Sequence, residues 1–492
     1  MIAASEDIEY PILPYVNGSF LKSSSDALVE VLSPSNGQRC VLLSAGCEAD
    51  VSRAVEAARI AFEDGRWSEA PPSARKRVLN RWADLVEAEA AKIDALDAGE
   101  MGKPVAEMIC GAGSAAALLR FHAEAVDKIL GDVCASDKQS FVTQRLVPRG
   151  VVAAVVPWNF PTYVAMLKCA PALATGNSVV LKPSEMSSRS AIRLAELALK
   201  AGLPPGVLNV VPGLGTTVGR ALALHDDVDM LTFTGSTAVG KLMVQYAGQS
   251  NLKLVKAECG GKSPQIVFDD GVDLDAASKS IARGLLTNQG QICSVGSRLL
   301  VQKSIERVMI EKIAAHFQQI VMGDALVPKT TFGPIASAKQ HARVMQYIQG
   351  ASAEGAQLVV GGKQALKDSG GYFVEPTIFR NVSPSARIAQ EEVFGPVLSV
   401  MTFEDDTDAI RLANGTNYGL MGYVWTASLS TGMRMAKGIR SGVIVNATAG
   451  VGEGAGFGFS FEPAKQSGVG TEGGLAGMEG YMRRQLIRFN HA

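Results

Sequence analysis

The sequence predicts an α/β protein with a doubly wound, Rossmann-like unit, and two observations carry that expectation. Short runs that are apolar throughout, at 151–156, 178–181, 207–211, 230–233 and 254–257, recur between helical segments. That is the pattern of parallel strands covered on both faces by crossover helices. The segment between two of these runs is also fully punctuated as a helix. Ser187 and Ser188 can cap it, Ile192, Ala195, Ala198 and Leu199 fall on one face, and Gly202 with Pro204 and Pro205 ends it.

The remaining elements follow in order. Residues 48–62 predict an amphipathic helix, with Val51, Ala54, Val55, Ala58, Ala61 and Phe62 at helical spacing behind acidic residues suited to a helix start. Residues 139–147 alternate weakly and predict a short strand outside the main sheet. A second α/β unit begins near Gly261, with a strand at 266–268, strands near 298–302 and 397–403, and helices around 304–321 and 407–413. The glycine-rich stretch 450–480, which includes Gly450, Gly452, Gly454, Gly456, Gly458, Gly468, Gly470, Gly473 and Gly474, reads as a long loop. The alternation of 480–489 suits an edge strand that could pair with a partner subunit.

Composition removes several function classes. In 492 residues, 47 Lys+Arg face 48 Asp+Glu, a net charge of −1, which lacks the basic stripe a nucleic-acid binder needs. The length allows two to four domains at about 100–200 residues each. Residues 1–14 show no basic region followed by an apolar core, and the apolar stretch 151–157 is far short of a membrane span of roughly 20 residues. Neither a signal peptide nor a membrane partner is expected. The seven cysteines are scattered, odd in number and never in a CxxC pair. They suit neither a disulfide scaffold nor a zinc site, and they fit a reducing, cytoplasmic compartment. The five scattered histidines add no metal motif.

Four segments could carry chemistry. Cys293, in Thr287-Asn-Gln-Gly-Gln-Ile-Cys-Ser294, falls on a turn past a helical stretch that gives way at Gly290. A thiol is the best nucleophile available, yet an isolated cysteine serves equally well as a small buried hydrophobe. Glu258, in Lys256-Ala-Glu-Cys-Gly-Gly-Lys262, ends an apolar strand, where partial desolvation would raise its pKa and suit a general base; a solvated strand-end acid is the plainer reading. Its neighbour Cys259 reads as packing. Asn159, in Pro157-Trp-Asn-Phe-Pro161, emerges at the carboxyl end of a strand, where ligands bind in open α/β sheets. Its amide could donate to an oxyanion, or simply fill a turn.

The fourth group is a cofactor set. Phe233-Thr-Gly-Ser-Thr-Ala-Val-Gly-Lys241 joins a strand to a helix, so Gly235 and Ser236 could let a pyrophosphate approach the helix N-terminus. The spacing is GxTxxG rather than GxGxxG. Lys182 and Glu185 follow another strand, and a carboxylate there would accept from both ribose hydroxyls and repel a 2′-phosphate. Each of these residues could also be surface decoration.

Taken together, the segments 157–161, 182–185, 233–241, 258–262, 289–294, Glu391-Glu-Val-Phe-Gly-Pro396 and Val443-Ile-Val-Asn446 resemble, in order and separation, the NAD(P)-dependent aldehyde dehydrogenase superfamily over nearly the whole chain. The resemblance implies NAD as cofactor and an aldehyde as substrate. It implies that Cys293 attacks the aldehyde carbon, that the Asn159 amide and the Cys293 backbone N–H hold the oxyanion, and that Glu258 activates the water that hydrolyses the thioester. Lys182 and Glu185 would bind the adenosine ribose, Ser236 the pyrophosphate, Glu392 the nicotinamide ribose and Phe394 the nicotinamide, with Trp158, Gly215 and Gly235 completing the cofactor set. Lys168 matches a lysine of proton handling. The expected division is 1–126 with 149–260 for NAD binding, 261–460 for catalysis, and 127–148 with 472–492 as oligomerisation strands of a homodimer or homotetramer.

Two departures stand out. Cys259 replaces the usual Leu, and Phe459-Ser-Phe-Glu-Pro-Ala-Lys-Gln-Ser-Gly468 replaces the usual Pro-Phe-Gly-Gly turn, after a spacing from Asn446 that is several residues longer. The tunnel candidates Phe160, Val164, Leu167, Ile292, Phe457 and Phe461 are all apolar and point to an aromatic, terpenoid or medium-chain aldehyde, although the same residues could pack a domain interface. Leu167 lacks the ring that would favour a cationic aldehyde. No arginine is expected near the tunnel motifs, which counts against semialdehydes of dicarboxylic acids. Transfer of the acyl group to coenzyme A and a catalytically silent binding protein are the alternatives.

Overall fold

A computed structural model describes residues 12–107, 109–447 and 456–490. The main sheet runs Ser19–Phe20, Tyr15–Val16, Leu208–Val210, Ser178–Lys182, Val151–Val155, Met230–Thr234, Leu254–Glu258 and Gly468–Val469. Its strands from Leu208–Val210 to Leu254–Glu258 are mutually parallel, and antiparallel strands close both edges. Counted along the chain, the parallel strands lie in the order 3-2-1-4-5, so the winding reverses at Val151–Val155. A crevice opens beyond the carboxyl ends of the strands at such a reversal.

Both faces are covered, which explains the uninterrupted apolar runs. Val152, Ala154, Val179 and Leu181 join one core with the helices Pro72–Ala88, Ala112–Ala125, Pro161–Ala174 and Arg189–Ala201. Val151, Ala153, Val155 and Val180 point the other way, against Val51, Ala54, Val55 and Ala58 of the helix Glu48–Glu63. Alternate residues of one strand thus feed two cores.

The second sheet runs Gln357–Val360, Thr377–Arg380, Val397–Phe403, Arg298–Gln302, Pro264–Val267, Met421–Trp425 and Gly442–Val445, parallel except at its first pair. Its strand Pro264–Val267 follows Leu254–Glu258 of the main sheet after only five residues, so the chain crosses between the sheets at Glu258. The predicted helix 304–321 is shorter, Glu306–Phe317, because the chain then turns to let Val321 N donate to Thr331 Oγ1.

A third sheet orders Met482–Asn490, Ser140–Pro148 and Asp132–Val133, all antiparallel. The tail first pairs along its whole length with Ser140–Pro148 of its own chain, which leaves its outer edge without a strand partner among the described residues. In the glycine-rich stretch, Gly450, Gly452 and Gly454 lie outside the described residues. The remainder corrects the expectation of a long loop, since it forms Ala464–Lys465, Gly468–Val469 and the helix Gly474–Glu479. Gly468, at φ +149°, is required there, because a Cβ would stand 2.1 Å from the Ala257 carbonyl oxygen. No helix among the described residues is long and apolar enough to cross a membrane.

Candidate active site

The helix Leu274–Leu286 ends in a reversal that places Cys293. Asn288, Gln289 and Gly290 all have left-handed backbone, with φ 46°, 54° and 70°. For the two non-glycine residues this is unfavourable by itself, and a set of buried hydrogen bonds holds it. Asn288 Nδ2 donates to the Asn159 carbonyl at 2.8 Å, Gln291 Nε2 to the Asn288 carbonyl at 3.1 Å, and Ala336 N to Gln291 Oε1 at 3.0 Å. At Gly290 a Cβ would lie 2.4 Å from the Gly395 carbonyl oxygen.

The same reversal sets the Cys293 segment against Asn159 and against the chain just after Glu258. The Asn159 amide is buried and donates to the Gln291 carbonyl at 3.0 Å, which uses one of its two N–H groups. Gly261, three residues after Glu258, has its missing side chain filled by the Cys293 backbone, whose carbonyl oxygen would be 2.3 Å from a Cβ. Burial, and then the carboxylates of Glu392 and Glu258, push the Cys293 thiol up to about 12.

Glu258 is 7% exposed at the end of its strand. Burial raises its pKa to about 8, with Glu472 adding to the rise while Lys168 and Lys256 oppose it. Lys168, from the helix that begins at Pro161, is fully buried and ion-paired with the equally buried Glu472. Lys256 donates from Nζ to the Gly477 carbonyl at 3.2 Å, with Nζ 4.5 Å from the centre of the Tyr481 ring. Burial pushes Glu472 up, but Lys168 and Lys256 outweigh it and hold the carboxyl below the usual range. Sequence reasoning missed Lys256, Glu472 and Tyr481. A lysine inside an apolar strand was a signal for the first; nothing local marks the other two.

The cofactor candidates line the crevice ends of neighbouring strands. Lys182 Nζ donates to the Pro183 carbonyl at 2.8 Å and reaches Glu185 Oε2 at 3.4 Å, with the Glu185 side chain about a third exposed. Ser236 caps the helix Thr237–Gln249 by accepting from Val239 N, and the amides of Thr237 and Ala238 in that first turn have no helical acceptor. Gly240 lets this helix approach the buried Cys259, whose Sγ would lie 2.5 Å from a Cβ. Gly215 opens the helical turn Gly215–Gly219, with nothing within 4 Å of where its Cβ would be. Trp158 and Phe394 meet edge to face with ring centres 5.4 Å apart. Glu392 accepts from Gly261 N at 3.0 Å, and burial raises its carboxyl to about 7.

The sequence model of the Aldehyde dehydrogenase family matches residues 20–487. The chain belongs to that family. It is 40% identical over 474 residues to the NADP/NAD-dependent aldehyde dehydrogenase PuuC of Escherichia coli (strain K12), covering 96% of this chain and 94% of that one. Its fold matches an indole-3-acetaldehyde dehydrogenase solved with NAD+ at a TM-score of 0.95 and 42% identity, covering 99% and 98% of the two chains. It also matches a gamma-glutamyl-gamma-aminobutyraldehyde dehydrogenase from Burkholderia cenocepacia J2315 at a TM-score of 0.95 and 43% identity, with the same coverage.

The dehydrogenase oxidises aldehydes with NAD as its cofactor. Its residues fit that group: a carboxylate for vicinal hydroxyls at Glu185, a capped helix N-terminus for a pyrophosphate at Ser236, and an aromatic pair for a flat ring at Trp158 and Phe394. Replacing Glu185 with Gln removes the charge that would repel a 2′-phosphate. The expected result is a rise of about tenfold in the NADP-to-NAD ratio of kcat/KM, mostly through a higher KM for NAD. An unchanged ratio would clear Glu185 of that role.

A cavity of about 450 Å³ opens beside the cysteine turn, and Phe160, Ile292, Ser294 and Tyr423 are among its lining. Of the predicted tunnel residues, Phe160 and Ile292 line it. Val164, Leu167 and Phe457 share an apolar cluster with those two, and Phe461 bridges to Glu472 by backbone hydrogen bonds of 2.9 Å. The expectation that no arginine stands nearby is corrected. Arg283 lies on the cavity wall with Lys279, because Leu274–Leu286 presents one face to the core and the opposite face to the cavity.

Proposed function

We propose that this dehydrogenase converts aldehydes with apolar bodies to carboxylic acids by covalent, hydrolytic catalysis. The observation that carries the reading is the convergence of Asn159, Glu258 and Cys293, each fixed by its own segment, at the crevice of the main sheet. The Cys293 thiol loses its proton to solvent as its sulfur adds to the aldehyde carbon, and the electron pair of the carbonyl moves to oxygen. The second N–H of the Asn159 amide and the Cys293 backbone N–H donate to that oxyanion. Lys182, Glu185, Ser236 and Glu392 would hold NAD, which would supply the hydride acceptor for this carbon, so that a thioester is left on the Cys293 sulfur. Glu258 takes a proton from water as the water attacks the thioester; the carboxylic acid leaves and the cysteine is restored. The Lys168–Glu472 pair behind Glu258 supports a path for that proton away from the site.

The apolar cluster of Phe160, Val164, Leu167, Ile292 and Phe457 supports an aromatic, terpenoid or medium-chain substrate, as does the similarity to indole-3-acetaldehyde dehydrogenase. We further infer a homodimer or homotetramer, supported by the open outer edge of Met482–Asn490, and a cytoplasmic setting, supported by seven unpaired cysteines. The two large sheets support a nucleotide-binding unit up to 260 and a catalytic unit from 261. The test is NADH formation from benzaldehyde, octanal and acetaldehyde, with coenzyme A added in a parallel series. Higher kcat/KM for the larger two, with free acid as product, is the expected result. Preference for acetaldehyde would remove the substrate class, and acyl-CoA as product would remove the hydrolytic step.

A further inference from the structure

The cavity beside Cys293 has one charged wall. Ala276, Lys279, Arg283 and Thr287 line it at spacings of three and four, a single face of the helix Leu274–Leu286 and its extension. Thr287 begins the turn that leads to the cysteine. Arg283 stands one turn further out, roughly 5.4 Å along the axis, and Lys279 two turns out, roughly 11 Å. Among the described residues neither cation forms an ion pair, and the lining holds no Asp or Glu. The acid one turn before Lys279, Asp275, is already paired with Lys312. Phe160, Ile292, Val295 and Trp425 give the lining an apolar part.

We propose that Arg283 and Lys279 form an anion-recognising end of the substrate cavity, so that the preferred aldehydes carry a carboxylate at the end remote from the reacting carbon, with an apolar spacer between. Two cations with no ion pair among the described residues, at graded distance, select for the charge, and the apolar part of the lining selects for the spacer. An Arg can take a carboxylate through two parallel N–H donors, and the Lys adds a second charge within reach. This rests on the reading of Cys293 as the nucleophile beside this cavity, and it specifies the far end of the substrate rather than the chemistry.

The test compares para-formylbenzoate with its neutral isostere para-formylbenzamide, in the wild type and in R283Q, K279Q and the double variant. The wild type should favour the carboxylate by about two- to fivefold in kcat/KM at low salt, with the preference shrinking as ionic strength rises. In the double variant the ratio should fall to near one, through KM for the carboxylate. Equal ratios in wild type and double variant overturn the proposal, as does a wild-type ratio of one. Calorimetric binding of terephthalate to wild type and double variant separates this proposal from the catalytic one. Binding lost in the double variant supports the anion site even if neither aldehyde yields NADH, an outcome that would instead sink the catalytic assignment. Terephthalate binding that is absent, or equal in both proteins, overturns the anion site.

Discussion

Cys293→Ala is expected to lower aldehyde oxidation by a factor on the order of 10⁴ or more while NAD binding, read by fluorescence titration, stays within about twofold of the wild type. The asymmetry follows from the position of the side chain. The proposed cofactor residues Lys182, Glu185 and Ser236 are held by their own strands and helix and do not depend on the thiol. The backbone that Cys293 threads past Gly261 is fixed by the hydrogen bonds of Asn288 and Gln291, which alanine leaves in place. Loss of catalysis with retained binding therefore assigns the thiol to bond making. Oxidation persisting in the variant would show that a different nucleophile acts, and the assignment of Glu258 would fall with it.

Asn159, Glu258 and Cys293 could be singled out as candidates because each sits in a segment whose glycines and prolines announce a strand end or a turn, where a doubly wound sheet binds, while their roles came from the family resemblance. The fold was legible for the same reason: a strand buried on both faces has to be apolar throughout, and the runs 151–156 and 178–181 record that directly. Glu472 was not. It is 304 residues from Lys168, in a stretch whose composition says only loop, and its burial is created by the docking of a late segment on an early helix. Lys279 and Arg283 failed differently. On a helix with Ala277, Ile281, Ala282 and Leu285 turned to the core, charges on the opposite face are what any surface helix carries. Only the cavity on that side gives them a substrate to meet, and a cavity is a property of several segments at once.

The second large effect concerns Glu258 and has a defined sign in pH. A base acts in its deprotonated form, and burial raises this carboxyl to about 8, so at neutral pH most of the enzyme holds it protonated. The hydrolytic rate should therefore climb as pH rises through about 7 to 9 and level off above the pKa of the carboxyl, the reverse of what a catalytic acid would show. Glu258→Gln removes the titrating group but keeps the size of the side chain. The expected profile is flat over that window, with steady-state turnover lower by a factor on the order of 10² to 10⁴. Because the amide cannot take a proton from water, the thioester should accumulate. Rapid mixing should then show an NADH burst approaching one per active site, followed by a slow phase that an added nucleophile such as hydroxylamine accelerates. The pairing of these signals distinguishes a base for the second half-reaction from a residue that only shapes the pocket. A variant with no burst would place Glu258 before hydride transfer, and a variant that kept the rising limb would assign that titration to another group, with Glu392, whose carboxyl burial raises to about 7, as the next to examine.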